Sequence, residues 1–292
     1  MKIALQLFGH MRTFDKCYDS LFENFLSLYD VDIFIHTWDT IDHNSKSWHN
    51  APKIEKIYDD KLNFEKKVRK IYKPKVIKIE HQNLFSEEGL YGTGERKNIS
   101  IAGLRYMHYS KYSCNKLRME YQRQNSLSYD YVVVTRPDIL LNEPLKLDEF
   151  KKEFDFNPKI SLHFVHDVKT VFFNDRAIQI PLVGDLFYVL KPEAADLLGN
   201  SFKGFDIFFK DMMNTMPKGL TYPEVSFLES LRSINIFPIF YRYDFTVKRT
   251  LGKHDLNHSK RRKRRRYKKR ILACTMVVIA AVVGNFFLVY FD

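Results

Sequence analysis

The chain has 292 residues, 45% of them hydrophobic, which is long enough for one large α/β domain or two small ones and too apolar for general disorder. Its formal net charge of +12 is concentrated: the run Lys260 to Arg270, with ten basic residues in eleven, and the residues after it carry +9, leaving +3 on residues 1–259. Three distant cysteines, Cys17, Cys114 and Cys274, with no C-x-x-C pair exclude a disulfide framework and a zinc ribbon.

The chain enters a strand-like run at once, "KIALQLF" from Lys2 to Phe8, so no signal peptide is expected. Phe14, Tyr18, Leu21, Phe22, Phe25 and Leu28 recur at helical spacing. "VDIFIHTWD" (Val31 to Asp39) predicts a second strand, residues 53–72 a charged helix, and Lys75 to Glu80 a third strand. Strand alternating with helix in this way predicts a parallel βαβ arrangement. A glycine-containing loop over Glu87 to Glu95 precedes a long helix from about Ile99 to Ser126, with Ile101, Leu104, Met107, Cys114, Leu117 and Tyr121 near one face.

"YVVVTRPDILLNEP" (Tyr131 to Pro144) reads as a fully buried fourth strand that stops on Arg136-Pro137-Asp138. Beyond it, residues 161–180 predict strands joined by a turn at Asn174-Asp175, and residues 183–190 a strand. Pro192 and Pro223 mark two helix starts, and residues 235–245 predict a last strand. Ile271 to Phe291 is 21 residues without charge, about 30 Å as a helix, and is expected to cross a membrane. The basic run before it is its positive flank, which puts residues 1–259 in the cytosol and removes nucleic acid from the expected partners.

If the sheet is parallel, three polar strand ends share one edge, where open α/β sheets bind ligands. Strand one ends on Gly9-His10-Met11-Arg12-Thr13, strand two on His36-Thr37-Trp38-Asp39, and strand four on Arg136-Pro137-Asp138. Arginine, tryptophan and aspartate together point to an anionic ligand bearing a ring, a nucleotide. Arg12, at the start of the first helix, suits a phosphate; the plainer alternative is a surface charge. Arg136 and Asp138 have the alternative of a salt bridge that ties a loop, and His36 and Trp38 that of core residues. Neither G-x-x-x-x-G-K-[ST] nor G-x-G-x-x-G occurs, and the glycines of "YGTGER" follow no clear strand, which weakens a kinase or an NAD enzyme. His43, Trp48 and His49 suggest a substrate loop, but not a metal pair.

The blocks "MKIALQLFGHMRTFDKCYDSLFENF", "DVDIFIHTWD", "YDYVVVTRPDILL" and "GDLFYVLKPEAADLL" resemble, in that order, bacterial glycosyltransferases of lipopolysaccharide and capsule synthesis with a GT-A-like nucleotide-sugar domain. The resemblance covers roughly residues 1–245. It implies a Rossmann-like, mainly parallel sheet flanked by helices, followed here by a linker over 246–270 and an anchor over 271–291. It implies donor binding by Gly9, His10, Arg12, His36, Trp38, Arg136 and Asp138. Such enzymes usually hold Mn²⁺ or Mg²⁺ on the donor diphosphate through Asp-x-Asp. Here the matching tripeptide is Arg136-Pro137-Asp138, so either Asp138 alone holds the metal or Arg136 takes over part of its charge. Asp185 or Glu224 would act as general base on the acceptor hydroxyl, with a helix-start carboxylate as the alternative for Glu224. His254 and Asp255 would fold back as late metal ligands. The expected function is transfer of a sugar from a nucleotide sugar to a glycan or lipid-linked acceptor at the cytosolic membrane face. The rival is a catalytically inactive, membrane-tethered scaffold.

Overall fold

Apolar runs form strands and amphipathic runs form helices, largely where the sequence places them. The computed structural model describes residues 1–40, 42, 61–84, 90–91, 99–173, 176–204, 223–248 and 273–274. The strands are β1 (Lys2–Phe8), β2 (Asp30–Trp38), β3 (Val76–Glu80), β4 (Leu90–Tyr91), β5 (Ile99–Ser100), β6 (Tyr131–Thr135), β7 (Ile139–Leu141), β8 (Ile160–Val165), β9 (Val168–Phe173), β10 (Arg176–Pro181), β11 (Phe187–Leu190), β12 (Phe237–Arg242), β13 (Phe245–Val247) and β14 (Ala273–Cys274). The helices are α1 (Phe14–Asn24), α2 (Lys61–Tyr72), α3 (Ile101–Gln124), α4 (Lys151–Phe156), α5 (Pro192–Asn200) and α6 (Pro223–Ser233).

Seven strands form one mixed, mainly parallel sheet in the order β12-β8-β11-β6-β1-β2-β3, and β14 lies antiparallel beside β12. The pairs β6–β1, β1–β2, β2–β3 and β12–β8 are parallel; β11 runs against both β6 and β8. The chain moves from β1 out to β3, then returns to place β6 on the other side of β1. The strand order therefore reverses between β1 and β6, and the carboxyl ends of those two strands are the place where open α/β sheets bind ligands.

Side-chain alternation splits the core into two layers. Ile3, Leu5, Leu7, Ile33, Ile35 and Val133 pack with Phe14 and Leu21 of α1 and with Phe64, Val68 and Tyr72 of α2. Ala4, Phe8, Phe34, Val132 and Val134 face the other way, onto Cys114 of α3, Ala195 and Leu198 of α5, and Phe227 and Leu231 of α6. Burying each large side chain on these faces contributes about 1.5–3 kcal/mol, and this fixes the strand registers.

Three expectations need correction. The strand predicted over 183–190 starts only at Phe187, because Val183 to Leu186 form a turn closed by the Leu186 N–H on the Val183 carbonyl at 3.1 Å. The strand predicted over 235–245 is two strands, since the chain leaves the sheet after Arg242 and β13 pairs with β7 instead. The short helix α4 was not expected.

No helix among the described residues is long and apolar enough to cross a membrane. The apolar span Ile271 to Phe291 lies outside those residues except for Ala273–Cys274, and the basic run, His43, Trp48, His49, the Asn174-Asp175 turn, His254 and Asp255 also lie outside them.

Candidate functional site

The stop at Arg136-Pro137-Asp138 has a local cause. Pro137 cannot extend the ladder, so the chain leaves the sheet after Thr135 and re-enters a separate ribbon in which Ile139 pairs with Val247. The Lys248 N–H donates to the Asp138 carbonyl at 2.7 Å, and the Thr13 hydroxyl donates to the Lys248 carbonyl at 2.7 Å. The β7–β13 ribbon thus ties the end of β6 to the start of α1.

The turn after β1 brings the second arginine. Gly9 has φ +86°, with its N–H bonded to the Ser110 hydroxyl at 2.8 Å. Arg12 itself has φ +44°, a left-handed conformation that costs a non-glycine residue free energy and that recurs at functional sites. Its Nε donates to Asp42 Oδ1 at 2.6 Å and its Nη1 to Asp138 Oδ2 at 3.3 Å. Arg136 grips the same carboxylate from the other side, Nε on Oδ1 at 2.8 Å and Nη2 on Oδ2. Asp138 is fully buried, and the side chains of Arg12 and Arg136 are each 9% exposed. Burial opposes the charge on both guanidiniums. For Arg12 the carboxylates Asp138 and Asp42 outweigh it and raise the pKa; for Arg136 burial and the nearby Arg12 prevail and lower it.

Asp138 does not suit Mn²⁺ or Mg²⁺ in this arrangement. Both its oxygens accept guanidinium N–H groups, and a divalent cation would have to sit beside two fixed positive charges. No group of three or more metal-ligating side chains occurs among the described residues. Each arginine has five N–H donors, and among the described residues two of them are spent on these contacts.

A second polar group lies at the same edge through strand register. Because β11 is antiparallel to β6, with Phe187 opposite Thr135, the residues just before β11 lie beside those just after β6. Asp185 therefore arrives next to the Arg136 turn. Val183 has φ +62°, an outlier for a β-branched residue. A Cβ on Gly184 would meet Pro181 Cβ at 3.0 Å and Val165 Cγ1 at 3.2 Å, so the turn has little room to change. Glu224, in the first turn of α6, completes the group. A helix start should favour its charged form, yet burial, then the Asp185 charge, push its pKa up to about 7. Its Oε2 is buried with no hydrogen-bond partner among the described residues.

Other sequence candidates lie elsewhere. Phe34, His36 and Trp38 alternate onto the α3 face. His36 is fully buried, with Nε2 on Glu80 Oε2 at 2.7 Å and Nδ1 by the Ser110 hydroxyl at 2.8 Å, and burial lowers its pKa. Trp38 is sheathed by Tyr106 and Tyr109, whose ring centroids lie 5.2 and 5.8 Å away. Neither ring is presented to a ligand here. His10 is buried and donates through Nε2 to Gln82 Oε1 at 2.8 Å. The structure thus unites Arg12, Arg136 and Asp138 in one cluster and couples Asp185 to Glu224, while Gly9 serves the turn that delivers Arg12.

Sequence reading missed Asp42, Lys111 and His163. A lone aspartate such as Asp42 carries no signal. Lys111 does carry one, since it fills the helical gap between Met107 and Cys114 on an otherwise apolar stripe. No protein-family model matches the chain, and no curated protein matches it.

Proposed function

We propose that this α/β domain is a GT-A-like glycosyltransferase that takes a nucleotide sugar as donor and a glycan or lipid-linked acceptor at the cytosolic face of a membrane, with the apolar residues beyond β14, 275–291, as its anchor. The carrying observation is the convergence of Arg12 and Arg136 on Asp138 at the reversal of strand order, with the Asp185–Glu224 pair at the same edge. As the sugar leaves, negative charge builds on the diphosphate. The guanidinium N–H groups not spent on Asp138 and Asp42 would meet it, in a buried setting where such contacts act most strongly. Asp138 positions both forks. The carboxyl pair would take the acceptor hydroxyl's proton, for which a group titrating near neutrality is suited. The basic run and span keep the domain beside a lipid-linked acceptor.

The test is nucleotide binding by the full chain in detergent, followed by thermal shift and calorimetry with UDP and GDP. Each is run with EDTA and with Mn²⁺, then a panel of nucleotide sugars is screened for hydrolysis. Stabilisation by one nucleotide, undiminished by EDTA, is expected. Binding that needs Mn²⁺ would overturn the arginine assignment alone. No response to any nucleotide would favour the scaffold reading, in which the closed ion-pair network only ties loops.

A further inference from the structure

Lys248 stands where the sequence predicts only a linker, yet its backbone is clamped into the arginine cluster. Its N–H donates to the Asp138 carbonyl at 2.7 Å, and its carbonyl accepts from the Thr13 hydroxyl at 2.7 Å. One bond reaches the residue that holds both guanidiniums, and the other reaches the neighbour of Arg12. The preceding strand is fixed too: Val247 pairs with Ile139, and the Phe245 carbonyl accepts from His166 Nε2 at 2.8 Å. The half-buried Lys248 side chain lies on the α1 side of the cluster. Its ammonium acts on the Cys17 thiol, and Cys17 Sγ is 3.7 Å from the Thr13 hydroxyl.

The formal charges give this lysine its weight. Arg12 and Arg136 bring two positive charges, and Asp42 and Asp138 bring two negative ones, bonded to the guanidiniums at 2.6 to 3.3 Å. A neutral network, however well aimed its N–H groups, gives an approaching anion no net attraction. Neighbouring charges cancel as well. Asp15 pairs with Lys67 at 2.7 Å, and the Lys111 ammonium, held on the Asp185 carbonyl at 2.7 Å, is attracted by Asp185 and repelled by Arg136. Lys248 has no ion-pair partner among the described residues.

We propose that Lys248 is the third cation of the anion site: clamped between Asp138 and Thr13, it supplies the net positive charge that draws a diphosphate to Arg12 and Arg136, and its ammonium binds the diphosphate oxygens. This rests on the reading of the cluster as a diphosphate site, and not on sugar transfer. The clamp then has a function as well. The β7–β13 ribbon brings a ligand-binding cation from a remote part of the chain to the ends of β1 and β6.

The experiment measures pyrophosphate binding to the full chain in detergent with EDTA, by calorimetry at low and high salt. The wild type should bind, and more weakly as salt rises. Lys248→Gln should lower the affinity roughly tenfold to a hundredfold and flatten the salt dependence. Its melting temperature without ligand should stay that of the wild type, because the backbone makes both clamping bonds. Lys248→Arg should keep most of the affinity, and Lys151→Gln, on α4, should change nothing. In the wild type, pyrophosphate should also shield Lys248 from acetylation by N-hydroxysuccinimidyl acetate, read by mass spectrometry, while Lys151 reacts as before. A folded Lys248→Gln protein with unchanged affinity would overturn the proposal. Should that variant not fold, equal acetylation of Lys248 with and without pyrophosphate overturns it. A wild type that does not bind pyrophosphate removes this proposal together with the diphosphate site. Binding that depends on Lys248, alongside no response to UDP, GDP or any nucleotide sugar, leaves the third cation standing and removes the glycosyltransferase reading.

Discussion

Asp138 is the residue on which the ion-pair network turns. It is wholly enclosed, it bridges two guanidiniums, and its backbone carbonyl holds β13 through Lys248. Replacing it with asparagine leaves two buried positive charges with half their compensation, a change that typically costs about 3–5 kcal/mol of stability. Asp138→Asn should therefore lower the melting temperature whatever the function. The informative quantity is nucleotide affinity or transfer rate per folded molecule, measured on the same preparation. If Asp138 aims the forks at a diphosphate, that quantity should fall a hundredfold to a thousandfold, roughly 2.7–4 kcal/mol. Arg136→Lys keeps charge but loses the fork, and should fall less. A destabilised Asp138→Asn protein with unchanged rate would reduce the cluster to a loop tie. At this scale the sequence was a partial guide. Arg12, Arg136 and Asp138 could be found because each follows a strand end. His36 and Trp38 also lie near a strand end, but residue parity along β2 turns them to α3, and parity relative to a ligand is not written in one sequence.

Helix α3 is the element that organises the rest. It reaches from Ser110, which holds Gly9 and His36, through Lys111 to a polar network near its end. There Gln6 donates to Asn115 Oδ1 at 2.8 Å, Arg118 donates to the same oxygen at 2.8 Å, and Arg118 also pairs with Asp196 of α5. Gly199 sits against this network, and a Cβ there would lie 2.5 Å from Asn115 Nδ2 and 2.9 Å from its Cγ. The amide oxygen is held by Gln6 and Arg118 and the amide nitrogen by Met119 Sδ at 3.3 Å and Asp196 Oδ1 at 3.4 Å, so the group cannot swing aside without giving up these bonds. Gly199→Ala should then destabilise by about 1–3 kcal/mol despite alanine's better helix propensity, seen as a lower urea midpoint. A neutral or stabilised variant would mean that the α3–α5 seam is looser than its hydrogen bonds indicate. The parallel half of the fold was readable because its strands are continuous apolar runs between amphipathic helices. The antiparallel β11 was not, since its partners β6 and β8 are set by long-range register, and the short ribbon β7–β13 gives no pattern of its own direction, whereas the β9–β10 pair follows from the strands expected over 161–180.

The whole molecule carries its buried ionisable groups as a pH-dependent load. His108 and His163 are held neutral by burial, which pushes their pKa values down to about 3, and burial lowers His36 in the same direction. Between pH 3 and 6.5 the unfolded chain binds protons that these folded rings refuse, so stability should rise with pH across that window and be lost on acidification. Glu80, drawn down to about 2 by its hydrogen bond to His36, adds to the same trend below its ordinary value of 4.5. Glu224 works the other way. With its pKa up at about 7, the folded state holds the extra proton between 4.5 and 7, and this group alone makes stability fall as pH rises there. His108 and His163 against Glu224 leave a net rise between 4.5 and 6.5, on the order of 1.4 kcal/mol per pH unit for one net proton, and His36 adds to it. Lys111, pushed down to about 8 by burial, acts at alkaline pH: between 8 and 10.5 the unfolded lysine is protonated and the folded one is not, so this group alone makes stability rise. Cys17 and Cys114, pushed up to about 11 and about 12 by burial, keep protons that the unfolded thiols lose above 9.0, so two thiols outweigh one lysine there and stability should fall. Urea midpoints of the full chain from pH 4 to 10 should thus climb steeply to about 6.5, flatten, and decline above about 9. His163→Gln should shallow the acid limb, and Lys111→Met should steepen the alkaline decline. An alkaline limb that is the same in Lys111→Met and in the wild type would show that Lys111 keeps its proton inside the core, with Asp185 holding it far more tightly than burial expels it.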